Sequence, residues 1–169
     1  EAGADINLTS ENGATALIYA AERGFKRCLV ALIDGGADVN SITKRFLRTP
    51  LLAASTFLLE SEPEEKDDYD ACIIALIKAG ANVNSRDSMG FTPIMHVVAN
   101  GNALCTQALI QKGASLKVKT GDNFTMLMAA SLGGMHDILE KVLPQSDVHA
   151  TAKLHTPGSR IAFTGWTAL

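Results

Sequence analysis

A five-residue pattern returns along this chain at the spacing of a helix pair, and it limits the available folds more than any other feature. Gly3-Ala4-Asp5-Ile6-Asn7 recurs as Gly36-Ala37-Asp38-Val39-Asn40, as Gly80-Ala81-Asn82-Val83-Asn84, and in weaker form as Gly113-Ala114-Ser115-Leu116, at separations of 33, 44 and 33 residues. A second pattern alternates with it: Gly13-Ala14-Thr15-Ala16-Leu17, Arg48-Thr49-Pro50-Leu51, Gly90-Phe91-Thr92-Pro93-Ile94, Phe124-Thr125-Met126-Leu127 and Gly165-Trp166-Thr167-Ala168-Leu169. A fixed period of this length belongs to chains that stack one supersecondary unit on copies of itself, burying a continuous core between neighbours.

Each pattern has a physical reading. A Thr hydroxyl can accept from a free backbone N–H at a helix start, and Pro at the first helical position loses no hydrogen bond, so Thr15, Thr49, Thr92 and Thr125 are predicted to cap short helices. Gly24, Gly101 and Gly134 lie nine residues beyond their Thr, where a left-handed residue closes such a helix. Second helices are predicted over Lys26–Asp34, Tyr69–Lys78, Ala103–Lys112 and Met135–Leu143, with Gly36, Gly80 and Gly113 closing three of them. The polar residues left before the next Thr suit a projecting hairpin.

Helix, turn, helix and hairpin in this order resemble the ankyrin repeat, whose most specific signatures are the Gly-Ala-Asp-Val-Asn and Thr-Pro-Leu elements. The resemblance implies an all-α ankyrin-repeat solenoid of antiparallel helix pairs joined by projecting β-hairpin loops. Residues 1–11 are the expected end of a preceding repeat. Repeats follow over 12–43, 44–86, 87–119 and 120–150, and 151–169 hold a loop and the start of a truncated further repeat. Two departures stand out. Ile18, Leu52, Met95 and Met128 occupy the place where the family usually carries His. Leu47 and Asn123 replace the glycine of the hairpin turn, and because a Leu side chain clashes in the left-handed region, an altered hairpin is expected near Leu47. An acidic insertion at about 58–69 separates the helices of the second full repeat, and an extended loop is expected around His149–Phe163. With a repeat cut at each end, flanking repeats of a longer chain are expected to cover the terminal faces.

Charge and cysteines narrow the setting. Seven acids between Glu60 and Asp70 face one Lys66, whereas the rest of the chain holds 14 basic and 11 acidic residues. Such a run is expected to be a solvated loop. Cys28, Cys72 and Cys105 share one place on successive second helices, too far apart for a disulfide, and are expected to be buried thiols in a reducing compartment. The chain start has no secretory pattern, so Asn7-Leu8-Thr9 and Asn123-Phe124-Thr125 read as chance glycosylation triplets, and a cytoplasmic or nuclear location is expected.

Catalytic patterns are missing: His96, His136, His149 and His155 lack metal spacing with the cysteines, and no phosphate-cradling glycine loop or nucleophile triad is legible. No enzyme activity, metal or cofactor is expected. The aromatics instead point to binding. Phe91, Phe124 and Trp166 each precede a capping Thr, Arg48 holds the equivalent place, and Phe46 and Met89 lie two residues further back. In the ankyrin family these hairpin positions and the outer side of the first helix form a concave recognition surface. The resemblance implies that Arg23, Arg45, Phe46, Arg48, Phe57, Met89, Phe91, Phe124 and Trp166 contact a partner, with Tyr19 and His96 at the helix margin. With Lys44, Arg86, Lys117 and Lys119 nearby, the expected partner is a protein or peptide with apolar anchors and some acidic residues. Nucleic-acid binding through these basic hairpins, which requires steep salt dependence, is the first alternative. An intramolecular regulatory part of a larger enzyme or channel is the second. Asn40, with Leu32, Asp38 and Val39, is similar to the pattern that asparaginyl hydroxylases use in ankyrin repeats. A turn-satisfying role for Asn40 is the preferred reading.

Overall fold

The computed structural model describes residue 3 and residues 5–58, 66–145, 151–153 and 164–167. Four helix pairs follow one another: α1 (Ala16–Glu22) with α2 (Lys26–Asp34), α3 (Pro50–Leu58) with α4 (Lys66–Lys78), α5 (Pro93–Ala99) with α6 (Ala103–Gln111), and α7 (Met126–Leu132) with α8 (His136–Val142). A 3-10 turn, Leu143–Gln145, continues α8. Strands β1 (Thr151–Lys153) and β2 (Thr164–Thr167) then pair antiparallel. First helices pack in one row, α1 on α3, α3 on α5 and α5 on α7, while α2, α4 and α6 form a second row behind them. Among the described residues, no helix is long and apolar enough to cross a membrane.

The local chemistry explains the boundaries. Thr15, Thr49 and Thr125 accept from the backbone N–H three residues on, at 3.2–3.3 Å. Thr92 stands at the same place ahead of Pro93 but caps nothing, and its hydroxyl is buried without a partner. The next repeat offers that hydroxyl no partner either. Thr15 and Thr49 pair their hydroxyls with Ser41 and Ser85, both at 3.2 Å, and the equivalent position opposite Thr92 holds Val118, which offers no polar atom.

Gly24, Gly101 and Gly134 adopt φ values of 67°, 70° and 63°, ending the first helices as predicted. Gly133 serves a different end. A Cβ there would lie 1.9 Å from the Val98 carbonyl oxygen, so its missing side chain is what lets α7 stack closely on α5. The buried side chains come mostly from the first helices: Leu51, Leu52, Ala53 and Ala54 on α3 and Ile94, Val97 and Val98 on α5 are fully enclosed.

Four expectations need correction or refinement. Cys72 and Cys105 are buried free thiols, but Cys28 is exposed, because no described helix covers the face of α2 that the other two present to the preceding second helix. Burial pushes the Cys72 thiol up to about 12 and moves Cys105 in the same direction, which keeps both protonated. Residues 66–69, assigned to the acidic loop, form the first turn of α4, so the insertion between described helices spans 59–65, outside the described residues. Within that turn Tyr69 is buried and donates its hydroxyl to the Glu22 carbonyl at the end of α1. The second hairpin is indeed altered, but Leu47 enters the left-handed region after all, at φ 52°. Of the extended loop around His149–Phe163, residues 149–150 and 154–163 lie outside the described residues. Its flanks pair Thr151 with Thr167. This matches the bridge of Lys119 with Thr125 one repeat earlier, so the insertion interrupts a hairpin at its far end.

Candidate functional site

The projecting hairpins, or fingers, are built to one plan. At the foot of each, a polar side chain accepts from the backbone N–H that closes the turn: Ser10 from Ala14, Thr43 from Arg48, Asp87 from Phe91 and Thr120 from Phe124, at 2.9–3.2 Å. The backbone closes the same pairs, with Ser10, Thr43, Asp87 and Thr120 donating to the carbonyls of their partners. Three fingers span four positions and the second spans five, so it carries one extra residue at its tip.

Neighbouring units are tied together by the recurring asparagine. Asn7 accepts from the N–H of Asp38, Asn40 from Asn82 and Asn84 from Ser115, at 2.8–2.9 Å. In each unit the preceding polar residue turns the chain locally, as Asp5, Asp38 and Asn82 accept from the N–H two residues on. The Gly-Ala-Asp-Val-Asn pattern is therefore one half turn-former and one half bridge. Fingers are also joined at their tips: Lys44 N–H donates to Asn12, and Ser88 N–H donates to Phe46. Arg86 donates to the carbonyls of Gly90 and Lys119, joining the third finger to the fourth. A surface held this firmly loses little entropy when something docks on it.

On this frame sit the aromatic and basic residues. Phe46 is 43% exposed, with the guanidinium carbons of Arg45 and Arg48 5.0 and 5.4 Å from its ring centroid. Phe91 is half-buried, stacked on His96 at 5.1 Å and tilted against Phe124 at 5.5 Å. His96 Nε2 reaches the Thr56 hydroxyl at 3.4 Å and lies 4.0 Å from an Asp87 carboxylate oxygen. Because Thr56 already donates its one hydroxyl proton to the Leu52 carbonyl, it accepts from His96, which assigns the imidazole proton to Nε2. Burial, and then the nearby Arg48 charge, pull His96 down to about 4, so the ring is neutral. Burial also raises the Asp87 carboxyl, against the opposing hydrogen bonds from Phe91 and Met89 and the charge of Arg48.

Most residues singled out from sequence fall on this face, with unequal exposure. Tyr19, Arg23, Arg45 and Phe46 are exposed, whereas Arg48, Met89, Phe91 and His96 are partly covered. Phe124 is only 5% exposed and packs into the core, so the expected direct contact surface is absent there: it supports Phe91 from below. Phe57 lies on α3 and Trp166 on β2, with side chains outside the described part, as are His149 and His155. Asn40 is exposed, with its amide oxygen engaged in the bridge to Asn82.

Sequence reasoning missed Asp87, the foot of the third finger, although its alignment with Ser10, Thr43 and Thr120 was a readable signal. It also missed the exposed Ile42 and Leu47, and a groove of about 420 Å³ behind the second helices, between Lys26, Ile74, Lys78 and Leu104. Among the described residues no three His, Cys, Asp or Glu side chains are placed to hold a metal ion. Two family models match the chain, one described as ankyrin repeats in three copies over residues 64–153 and one described as an ankyrin repeat over residues 12–44.

Proposed function

Because the chain belongs to the ankyrin-repeat family, whose repeats are generally protein–protein interaction modules, we propose that this segment is a non-catalytic docking surface for a partner protein. The partner lies across the fingers and the adjoining ends of the first helices. It brings apolar anchors for Tyr19, Phe46, Met89 and Phe91, and acidic residues for the basic fingers. One observation carries this reading: Tyr19, Phe46 and Leu132 keep 52%, 43% and 41% of their surface exposed on fingers and first helices that the asparagine bridges hold rigid. Large exposed apolar groups on a preorganised frame are a common form of recognition surface.

The test is affinity purification with the segment as bait, beside the double variant Tyr19→Ser with Leu132→Ser. Both side chains are exposed, so melting should be unchanged while partner capture falls. Equal capture by the variant would remove this face from consideration. Capture that collapses with modest added salt and is replaced by nucleic acid in the eluate would favour the alternative of a basic nucleic-acid surface. Cytoplasmic or nuclear residence goes with this function and is supported by three free thiols. Hydroxylation of Asn40 would act on a side chain already committed to bridging.

A further inference from the structure

We propose that the second finger is an acid-reading subsite, built to seat an aspartate or glutamate of a partner peptide whose neighbouring side chain is apolar. The proposal rests on the docking function above and assigns a chemistry to one part of that surface.

The second finger differs from the others in three ways. Its extra residue widens the tip, so Phe46 and Leu47 stand out with 43% and 46% of their surface exposed. Leu47 holds φ 52° without the burial that would reward a side chain for entering the left-handed region. Strain of this kind, persisting at an exposed tip, is a mark of function where the surrounding structure enforces it. Here it is enforced on both flanks: Lys44 N–H is bonded to Asn12 of the first finger, and Phe46 carbonyl to Ser88 of the third.

The third difference is charge. The segment Thr43-Lys44-Arg45-Phe46-Leu47-Arg48 holds three cations and no acid. Arg45 and Arg48 both lean on the Phe46 ring, at 5.0 and 5.4 Å. Cation–π contact favours each guanidinium separately, but holding two on one ring brings like charges together. Lys44 adds a third charge, with its ammonium donating to the Glu11 carbonyl. Among the described residues no carboxylate lies within ion-pair distance of Arg45 or Lys44. Because Asp87 already faces the Arg48 charge, a carboxylate placed beside the ring would act on Arg45, meeting the planar edge of its guanidinium, which keeps its N–H groups in plane while its face stacks. The exposed Phe46 and Leu47 would cover an apolar neighbour of that acid. Phe46 thus orients the arginines and supplies the apolar contact, while Arg45, which is exposed, is the principal charge reader.

An array of short immobilised peptides tests this, each carrying Asp or Glu close to a Phe, Trp or Leu, with matched versions bearing Asn or Gln, phosphoserine, or Glu without any apolar residue. The chain is expected to retain the acidic-apolar peptides at physiological salt. Arg45→Gln should lower that retention by roughly tenfold, to the level of the Asn and Gln versions. Arg45→Lys should keep part of it, and Phe46→Ala should lower it even where the acid is intact. Circular dichroism checks that these exposed substitutions leave the helices in place. Equal retention of the Asn or Gln versions would overturn the proposal and leave the wider docking face standing. So would retention of phosphorylated peptides only, or of acidic peptides regardless of the apolar residue. If no peptide is retained, the subsite is discarded, while the Tyr19 and Leu132 variants judge the face independently.

Discussion

Single residues in this protein are read most clearly where one repeat breaks the habit of the others. Thr92 occupies a cap position but makes no cap bond, and with Val118 standing where Ser41 and Ser85 serve the earlier threonines its hydroxyl is orphaned. Thr92→Val should therefore stabilise the fold by about 1 kcal/mol, whereas Thr49→Val, which removes a formed cap and a hydroxyl pair, should cost about 1–2 kcal/mol. Urea unfolding midpoints of the two variants compare them directly, and equal shifts would refute the account. Leu47 offers a second contrast. Relief of about 1–2 kcal/mol of left-handed strain exceeds the roughly 0.5–1 kcal/mol that glycine loses in added chain entropy. Leu47→Gly should raise the unfolding midpoint while loosening the tip that presents Phe46. His96 titrates below its ordinary 6.5, at about 4, so the unfolded chain takes up the proton first as pH falls. The stability gained by keeping the ring neutral is whole above pH 6.5 and drains away toward pH 4, on the order of 3 kcal/mol. Asp87 works in the opposite sense: its carboxyl is raised, so the fold takes up that proton first and offsets part of the loss at the acid end. His96→Gln should flatten the stability profile between pH 4 and 6.5, and denaturant titrations across that range would show it.

At the scale of elements, the fingers and asparagine bridges determine how one helix pair meets the next. The bridge from Asn40 to the Asn82 N–H lies at the surface, where water can partly replace it, so Asn40→Ala should cost only about 0.5–1 kcal/mol. Its local signature should be sharper than its effect on stability. Hydrogen exchange of the Asn82 amide should accelerate markedly, while that of Ser115, bridged by Asn84, should not change. Acceleration at both amides would mean that the bridges act as one unit rather than as separate ties. The same scale shows why a first helix is legible and a second one less so. Thr, Pro and a glycine nine residues on bracket the former, whereas α4 starts three residues before the predicted Tyr69, among acids that the charge run alone had marked as loop. Acidic groups near a helix start are favoured by its dipole, and Tyr69 gains burial against Gly24 by joining the helix.

For the whole molecule, stability follows from how many neighbours each helix has. Helices α3 and α5 are covered on both sides and bury nearly all of their first turns, whereas α2 buries Leu29 alone and α8 buries Ile138 and Val142. Stacked repeats gain much of their stability at nearest-neighbour interfaces, so protection should be graded along the stack. Amide exchange measured on the intact chain should be slowest in α3 and α5 and fastest in α8 and α2. Uniform protection in all eight described helices would indicate a single cooperative core instead.

The repeat register, the helix pairs and their glycine closures were all determined by the sequence, because each depends on the conformational preference of a few residues at a fixed period. What only the tertiary structure decided depends on the neighbouring repeat. The burial of Phe124, the exposure of Cys28 and the orphaned hydroxyl of Thr92 are set by what packs opposite them. Leu47 also belongs here: its intrinsic preference argues against the left-handed region, and the bonds from the fingers on either side hold it there. Local propensity is a property of a residue, whereas exposure and strain are properties of a contact.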